Sequence, residues 1–120
     1  MTILVVDDDY LNRELLQAHM ENAHYKVILA NSGAKALEMA ARELPDIILM
    51  DVNMPGLSGY IVCNQLKKSS ITGHIPILLM TAMDDEESIA RAAAAGADGF
   101  VSKPLNIHRM FEQISSLIGR

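Results

Sequence analysis

The sequence contains no tryptophan, and aromatic residues make up only 4% of its 120 positions. A hydrophobic core must therefore be built from aliphatic side chains and methionine, and half of the residues are hydrophobic. This composition favours helices packed against a buried sheet. A chain of this length is expected to form one domain, residues 1–120, that buries most of the surface exposed by its unfolded form.

Cysteine and basic residues are also scarce. Cys63 is the single cysteine, which excludes an internal disulfide and a cysteine-based zinc site and favours a reducing cytoplasm. The formal net charge of −5 argues against direct binding of nucleic acid, which requires clustered lysine and arginine. No apolar run approaches the roughly 20 residues that cross a membrane, and no signal peptide is evident. We therefore expect a cytoplasmic protein without a membrane partner.

Short apolar runs recur along the chain, each bounded by turn-forming or polar residues. The clearest is Ile47–Met50, which leads into Asp51 and is then broken by Met54-Pro55-Gly56. Such a run is typical of a strand that is buried on both faces of a parallel sheet. The predicted strands are Thr2–Val6, Lys26–Ala30 at an edge, Ile47–Asp51, Pro76–Met80 ending at Thr81, and Gly99–Ser102.

The segments between these strands have helical spacing of apolar residues. We predict inward faces formed by Leu11, Leu15 and Ala18 in the first helix and by Ile61, Val62 and Leu66 in the third. Strands that alternate with helices require a parallel sheet with right-handed crossovers. The predicted helices are Tyr10–Asn22 capped by Asp9, one from Asn31-Ser32-Gly33 to Pro45-Asp46 with apolar Leu37, Ala40, Ala41 and Leu44, Gly59–Lys68, Ser88–Ala95 after the acids Asp84 to Glu87 and closed by Gly96, and Ile107–Ile118.

Four of the five predicted strands end on polar side chains: Asp7 and Asp8, Asp51, Thr81 and Lys103. In a parallel sheet these ends lie at the same edge, where ligands bind in α/β proteins. Carboxylates brought together there repel by about 4 kcal/mol per pair at 4 Å for an effective dielectric near 20. They therefore require cations or take up protons. Oxygen ligands without histidine or cysteine favour Mg²⁺ or another hard divalent ion such as Mn²⁺.

The remaining strand-end residues predict what chemistry this edge supports. Lys103 offers a compact positive charge and Thr81 a hydroxyl donor. Together with a metal ion, such groups stabilise the oxygens of a phosphoryl group in transfer. Asp51, which we expect to be exposed as their common target, can act as the nucleophile and form an acyl phosphate.

These motifs resemble the receiver domain of two-component response regulators, and the resemblance covers the whole chain. They are Leu4-Val5-Val6-Asp7-Asp8, the segment from Leu49 to Gly59, Met80-Thr81-Ala82 and Lys103-Pro104. The resemblance implies a doubly wound, flavodoxin-like α/β fold with five parallel strands in the order 2-1-3-4-5. It also implies a signalling domain that is not an enzyme, beyond supporting its own phosphotransfer and autodephosphorylation.

Within that family, Asp51 is the phosphoacceptor and receives its phosphoryl group from a sensor histidine kinase or a phosphotransfer protein. The resemblance implies that Asp8, Asp51 and the backbone carbonyl of Asn53 bind Mg²⁺, with Asp7 acting mainly through an intervening water molecule. It implies that Thr81 hydrogen-bonds the phosphoryl group and that Lys103 pairs with it. Asn53 and Met83 occupy positions that influence the lifetime of the phosphorylated state.

Phe100 occupies the position of the family's switch aromatic, whose ring turns inward as Thr81 moves. Many relatives carry tyrosine there, so a signal read through a hydroxyl is in doubt for this chain. The resemblance implies an output face formed by the fourth helix, fifth strand and fifth helix. That face is read by a downstream protein or an attached output domain, and it also offers a surface for a homodimer.

Three alternatives remain open at this point. A phosphohydrolase would use Asp51 on an external substrate, but it usually needs a second acid two positions later, where this chain has Asn53. A flavodoxin-like mononucleotide binder would present serine, threonine or glycine amides where this chain has Asp7-Asp8-Asp9. A receiver that is never phosphorylated would be only an interaction surface, which the intact acids, Thr81 and Lys103 argue against.

Overall fold

The computed structural model describes residues 1–82 and 85–119, and within them five strands alternate with five helices. None of these helices is both long and apolar enough to cross a membrane. Met83, Asp84 and Arg120, and with them the predictions made for Met83 and Asp84, lie outside the described residues. In order, the elements are β1 Thr2–Val6, α1 Tyr10–Asn22, β2 Lys26–Ala30, α2 Gly33–Glu43, β3 Ile47–Asp51, α3 Gly59–Lys68, β4 Ile77–Thr81, α4 Glu86–Ala94, β5 Gly99–Ser102 and α5 Ile107–Ile118.

All five strands form one parallel sheet in the order β2-β1-β3-β4-β5, which confirms the predicted fold. The strand β2 lies at an edge, as its sequence predicted. Every residue of β3 and β4 is buried, because both faces of the central strands are covered by helices. The register aligns Val6 with Met50, so the residues that follow β1 lie beside the end of β3.

Alternate residues of each central strand contribute to two hydrophobic clusters, one on each face of the sheet. Leu4 and Ile48 belong to a cluster that includes buried residues of α2, α3 and α4. Ile3 and Ile47 belong to the opposite cluster, which includes buried residues of α1 and α5. The chain is therefore a three-layer α/β sandwich whose carboxyl strand ends share one edge.

Polar side chains cap the helices, and this fixes where each helix begins. The predicted cap Asp9 accepts the backbone N–H of Leu11 at the start of α1. Asp85 accepts the N–H of Ser88, so α4 begins at Glu86, two residues before the predicted start. A side-chain acceptor at this position satisfies one of the backbone donors left unpaired in the first turn. Ser32, Ser58 and Asn106 cap α2, α3 and α5 in the same way.

The predicted inner face of α1 was wrong. Leu11 and Leu15 are 73% and 57% exposed and Ala18 is also exposed, whereas Leu16 and Met20 are buried. Leu11 and Leu15 have the same four-residue spacing as Leu16 and Met20, about 100° away around the helix. Spacing alone cannot decide which of two apolar stripes faces the sheet.

The faces of α2 and α3 needed smaller corrections of the same kind. In α3, Val62 and Leu66 are buried as predicted, but Ile61 is 49% exposed and Tyr60 and Cys63 are buried instead. In α2, Ala40 is buried and Leu37 half-buried as expected. The exposed apolar positions are Ala41 and Leu44, and the buried ones that replace them are Ala36 and Met39.

Candidate functional site

Three carboxylates meet where β1 and β3 end. Asp7 and Asp8 directly follow β1, and Asp51 is the last residue of β3. One oxygen from each of the three carboxylates lies within 4.8 Å of the others. The parallel register of β1 and β3 places these residues side by side, so the juxtaposition expected from the sequence is present in the fold.

Asp7 is buried and its carboxylate is only partly satisfied. The oxygen Oδ1 accepts the backbone N–H of Asp9 at 2.9 Å. Among the buried side-chain atoms of residues 1–82 and 85–119, Oδ2 of Asp7 has no hydrogen-bond partner. Burial raises the pKa of the Asp7 carboxyl, and the negative charges of Asp51 and Asp8 raise it further, against the opposing effects of the Asp9 N–H and Lys103. An unpaired buried oxygen beside two other carboxylates is what a bound cation would satisfy.

Arg13 is a residue that the sequence analysis missed. Its guanidinium Nη1 donates a hydrogen bond of 2.8 Å to the backbone carbonyl of Asp7 and also stacks over the ring of Tyr10. The side chain lies one turn into α1, so it ties the start of that helix to the turn that carries the acids. The only signal in the sequence is a basic residue six positions after Asp7, and this spacing is not diagnostic.

Asp51 is held by two donors. Its Oδ2 forms an ion pair with Lys103 Nζ at 3.0 Å, and its Oδ1 accepts the backbone N–H of Asn53 at 3.1 Å. The side chain is only 5% exposed, whereas we expected an exposed carboxylate. Asp51 is buried like the rest of β3, and Lys103, which directly follows β5, reaches its carboxylate. Asp51 is therefore a buried carboxylate that is paired with one ammonium group.

Lys103 and Thr81 are positioned by the pairing of β4 with β5. Thr81 aligns with Ser102, and the N–H of Lys103 donates to the Thr81 carbonyl at 2.6 Å. Thr81 is buried at the end of β4, one strand away from Asp51. The peptide bond between Lys103 and Pro104 is cis. Four strand ends thus bring the acids, Thr81 and Lys103 to the same edge of the sheet.

The first residue of α3 packs directly on the backbone of Asp51. A Cβ atom on Gly59 would overlap the Asp51 carbonyl oxygen and would lie 2.8 Å from Val52 Cα. The N–H of Gly59 donates to the Val52 carbonyl at 2.9 Å. Glycine is therefore required for the close approach at this position, and α3 begins in contact with the candidate phosphoacceptor.

Phe100 lies apart from the carboxylates, on the other side of the Thr81 strand. Its ring is half-buried against the cluster of α2, α3 and α4 residues, and the side chain lines a groove of about 360 Å³. Ile89 of α4 and Arg109 of α5 also line that groove. Phe100 is thus placed between the hydrophobic core and the surface formed by α4, β5 and α5.

The charge and ligand types of this site suit a hard divalent cation. The three clustered carboxylates and the paired Lys103 ammonium leave an excess of about two negative charges. All side-chain ligands in the cluster are oxygens, which favours magnesium-like ions over zinc or copper. The unpaired Asp7 Oδ2 gives such an ion, or its hydration shell, a place to bind.

Comparison with protein-family models shows a match over residues 3–115 to the response regulator receiver domain. The chain belongs to this family. Receiver domains are the phosphorylation-switched signalling domains of two-component systems, which take phosphate from histidine kinases and signal to downstream partners. The predicted family and function class are therefore confirmed.

Individual relatives show the same relationship. This chain is 45% identical over 115 residues to the response regulator PleD of Caulobacter vibrioides. The alignment covers 96% of this chain but only 25% of PleD. It is 34% identical over 118 residues to the polar-differentiation response regulator DivK of Brucella ovis, covering 98% of this chain and 96% of DivK. The chain thus spans a quarter of one relative and nearly all of the other.

A solved structure with the same fold contains a metal ion. The receiver domain of the sensor histidine kinase PA1611 from Pseudomonas aeruginosa, described with magnesium coordinated in its active-site cleft, superimposes with a TM-score of 0.91. The two sequences are 27% identical, and the match covers 99% of this chain and 97% of the other. A magnesium site is thus present in a relative with this fold.

The raised pKa of Asp7 predicts how metal-free stability depends on pH. Replacement of Asp7 by asparagine is expected to raise the free energy of unfolding at pH 7 by about 1–2 kcal/mol, because a buried, incompletely paired charge is removed. A carboxyl with a raised folded pKa favours folding below its unfolded pKa of 3.8 and loses that contribution as the pH rises through the folded value. The advantage of Asp7→Asn should therefore shrink on acidification and vanish near pH 4.

Urea unfolding in a chelator at several pH values measures this difference. Asp46→Asn is a matched control, because Asp46 is exposed and lies before β3, away from the cluster. If the difference in unfolding free energy between Asp7→Asn and the wild type stays constant between pH 7 and pH 4, the titration of Asp7 does not contribute to the pH dependence of stability.

Proposed function

We propose that Asp51 accepts the phosphoryl group, in a reaction that depends on a divalent ion. The observation that carries the proposal is the ion pair of 3.0 Å between Asp51 and Lys103, with the carboxylates of Asp7 and Asp8 gathered around the same strand end. The donor is the phosphohistidine of a sensor histidine kinase or phosphotransfer protein. Asp7, Asp8, Asp51 and the backbone carbonyl of Asn53 would hold Mg²⁺, or Mn²⁺ in its place, which supplies positive charge to the phosphoryl oxygens.

The residues of this chain have distinct roles in the transfer. A carboxylate oxygen of Asp51 attacks phosphorus, the bond between phosphorus and the imidazole nitrogen breaks, and the donor imidazole retains the electron pair and is protonated. Lys103 moves from the carboxylate to an oxygen of the incoming group, so its charge is not left unpaired. The hydroxyl of Thr81 donates to another phosphoryl oxygen. Donors placed on the phosphoryl oxygens in this way stabilise charge that develops during transfer.

The same movement couples the site to the output face. Displacement of Thr81 toward the phosphoryl group leaves space behind it, into which the Phe100 ring can turn from the groove between α4, β5 and α5. When the phosphoryl group interacts more favourably with one of two conformations, the free energy between them shifts by the difference in interaction free energy. About 5.5 kcal/mol is needed to move the equilibrium from 1:99 to 99:1, which several charged contacts can supply.

The surface beside the site supports a protein as the phosphodonor. The exposed side chains of Leu11 and Leu15 lie on α1, and Leu15 lines a depression of about 320 Å³ together with Asp7, Lys103 and Leu105. Apolar side chains exposed next to a reaction centre are typical of an interaction surface. We propose that the donor protein packs on α1 while its phosphohistidine reaches Asp51. A downstream protein, an output domain or a second copy of the chain would bind the face around Phe100. We expect no direct contact of this domain with nucleic acid, and we propose the cytoplasm as its location.

Incubation with a small phosphodonor such as acetyl phosphate, with and without Mg²⁺, tests the proposal. We expect the intact mass to increase by one phosphoryl group in the presence of Mg²⁺ and to remain unchanged in a chelator. The bond should be labile to hydroxylamine, as an acyl phosphate is. Sustained release of phosphate from external phosphoesters, with turnover, would instead indicate a phosphohydrolase.

A further inference from the structure

One face of α3 carries three side chains that hold α4 and the loop after it. Tyr60, Cys63 and Lys67 are three and four residues apart, so they lie on the same face of the helix. Each donates a hydrogen bond or forms an ion pair to a residue of α4 or of the segment that follows it. Their partners follow one another in the sequence: Ser88 in the first turn of α4, Ala95 at its end, and Asp98 in the loop before β5.

The contacts at the two ends of α4 differ in strength. Beyond its C-terminal end, Lys67 Nζ lies 2.8 Å from Asp98 Oδ2, and that oxygen also accepts the N–H of Ile77 at 2.9 Å. Near its start, the Tyr60 hydroxyl donates one neutral hydrogen bond of 3.4 Å to the Ser88 carbonyl. Charge-assisted hydrogen bonds are roughly twice as strong as neutral ones, and 3.4 Å is long for a hydroxyl donor. The hydroxyl contact near the start of α4 is therefore weaker than the ion pair beyond its end.

Tyr60 also lies between the phosphoacceptor and the output face. It follows Gly59, which packs on the backbone of Asp51, so the first turn of α3 must follow any shift of that backbone. The buried Tyr60 side chain belongs to the same hydrophobic cluster against which Phe100 packs. The guanidinium of Arg91, farther along α4, lies 4.4 Å from the centre of the Tyr60 ring, so the ring keeps one contact with α4 that does not depend on its hydroxyl.

We infer that Tyr60 is a positioning residue whose hydroxyl holds the start of α4 against α3 in the unphosphorylated chain and opposes the shift of the output face. On phosphorylation, the start of α4 moves while its C-terminal end stays fixed through Lys67 and Asp98. This role rests on the proposed function, since it assigns Tyr60 to the switch that phosphorylation of Asp51 operates. It adds a second connection between Asp51 and α4, independent of Thr81.

The variant Tyr60→Phe tests this role, because it removes the hydroxyl and keeps the ring and its contact with Arg91. In ¹⁵N-labelled protein without phosphodonor, we expect the amide resonances of β5 to move toward their positions in the phosphorylated wild type. The lower end of the range for a neutral hydrogen bond applies to this long contact and corresponds to a roughly twofold change in the population ratio. Hydrogen exchange of α4 amides should accelerate by a similar factor, with exchange in β3 unchanged.

Tyr25→Phe is the matched control, since Tyr25 packs against the hydrophobic cluster on the opposite face of the sheet. The inference is overturned if α4 exchanges at the wild-type rate in Tyr60→Phe, or if the β5 resonances move away from the phosphorylated positions. The exchange measurement needs no phosphoryl group. A wild-type protein that gains no phosphoryl mass therefore refutes the proposed function, and with it the part of Tyr60 in the switch, whereas exchange still decides whether the hydroxyl holds the start of α4.

Discussion

Asp51→Asn is expected to abolish phosphorylation by a small phosphodonor in the presence of Mg²⁺. The asparagine amide is a far weaker nucleophile than the carboxylate, and it removes one of the three negative charges that gather around the site. The amide has nearly the same shape, and its single oxygen can still accept the N–H of Asn53, whereas the Lys103 ammonium loses its acceptor and, being 25% exposed, is hydrated instead. The fold is therefore preserved while the chemistry is lost.

Intact mass spectrometry gives a direct measurement of this loss. Asp46→Asn provides the control, because it makes the same chemical change in an exposed side chain. Asp46 accepts the N–H of Thr2 and precedes β3, at the opposite end of that strand from Asp51. The control should gain one phosphoryl group like the wild type. A phosphoryl group found on serine, threonine or histidine of the Asp51→Asn variant, in the amount seen for the wild type, would refute the assignment of the phosphoacceptor.

The strands and their order were predictable because their signals are local and strong. A short apolar run such as Ile47–Met50 followed by Asp51 is typical of a buried strand. All five strands lie within one residue of their predicted bounds. The cluster of acids followed from topology alone, since parallel strand ends share an edge. The strand order came from the family resemblance, because sequence spacing does not determine which strands are neighbours.

The sequence could not determine two kinds of feature: the rotation of each helix about its own axis and the contacts of long side chains with distant residues. Leu15 and Leu16 are adjacent, and only packing against the sheet decides that Leu16 is buried while Leu15 is 57% exposed. Likewise, nothing in the sequence shows that the Lys103 ammonium lies 3.0 Å from Asp51 or that the Asp51 side chain is only 5% exposed. The contact between Tyr60 and Ser88 joins residues 28 positions apart, with no motif to mark it.

Loss of the Lys103 ammonium is expected to separate phosphorylation from switching. In Lys103→Ala, the three carboxylates lose the cation that is paired with Asp51, so Mg²⁺ should bind at least about tenfold more tightly. The reason is that the repulsion between the lysine and a divalent ion is about 2 kcal/mol at 4 Å even in water, and about 1.4 kcal/mol corresponds to a tenfold change in affinity. The variant should still accept a phosphoryl group, because the nucleophile and the metal ligands are intact. Without the lysine, however, the end of β5 has no charged contact with the phosphoryl oxygens.

Two measurements on the same samples distinguish these effects. Mass spectrometry reports the phosphorylated fraction, and the amide resonances of β5 report whether the face around Phe100 has moved. In fully phosphorylated Lys103→Ala we expect most of the wild-type displacement of these resonances to be lost. Lys35→Ala, which removes an exposed lysine on α2, should behave like the wild type in both measurements. A normal β5 displacement in phosphorylated Lys103→Ala would mean that the signal reaches β5 without the lysine, which would then serve only to neutralise charge at the site.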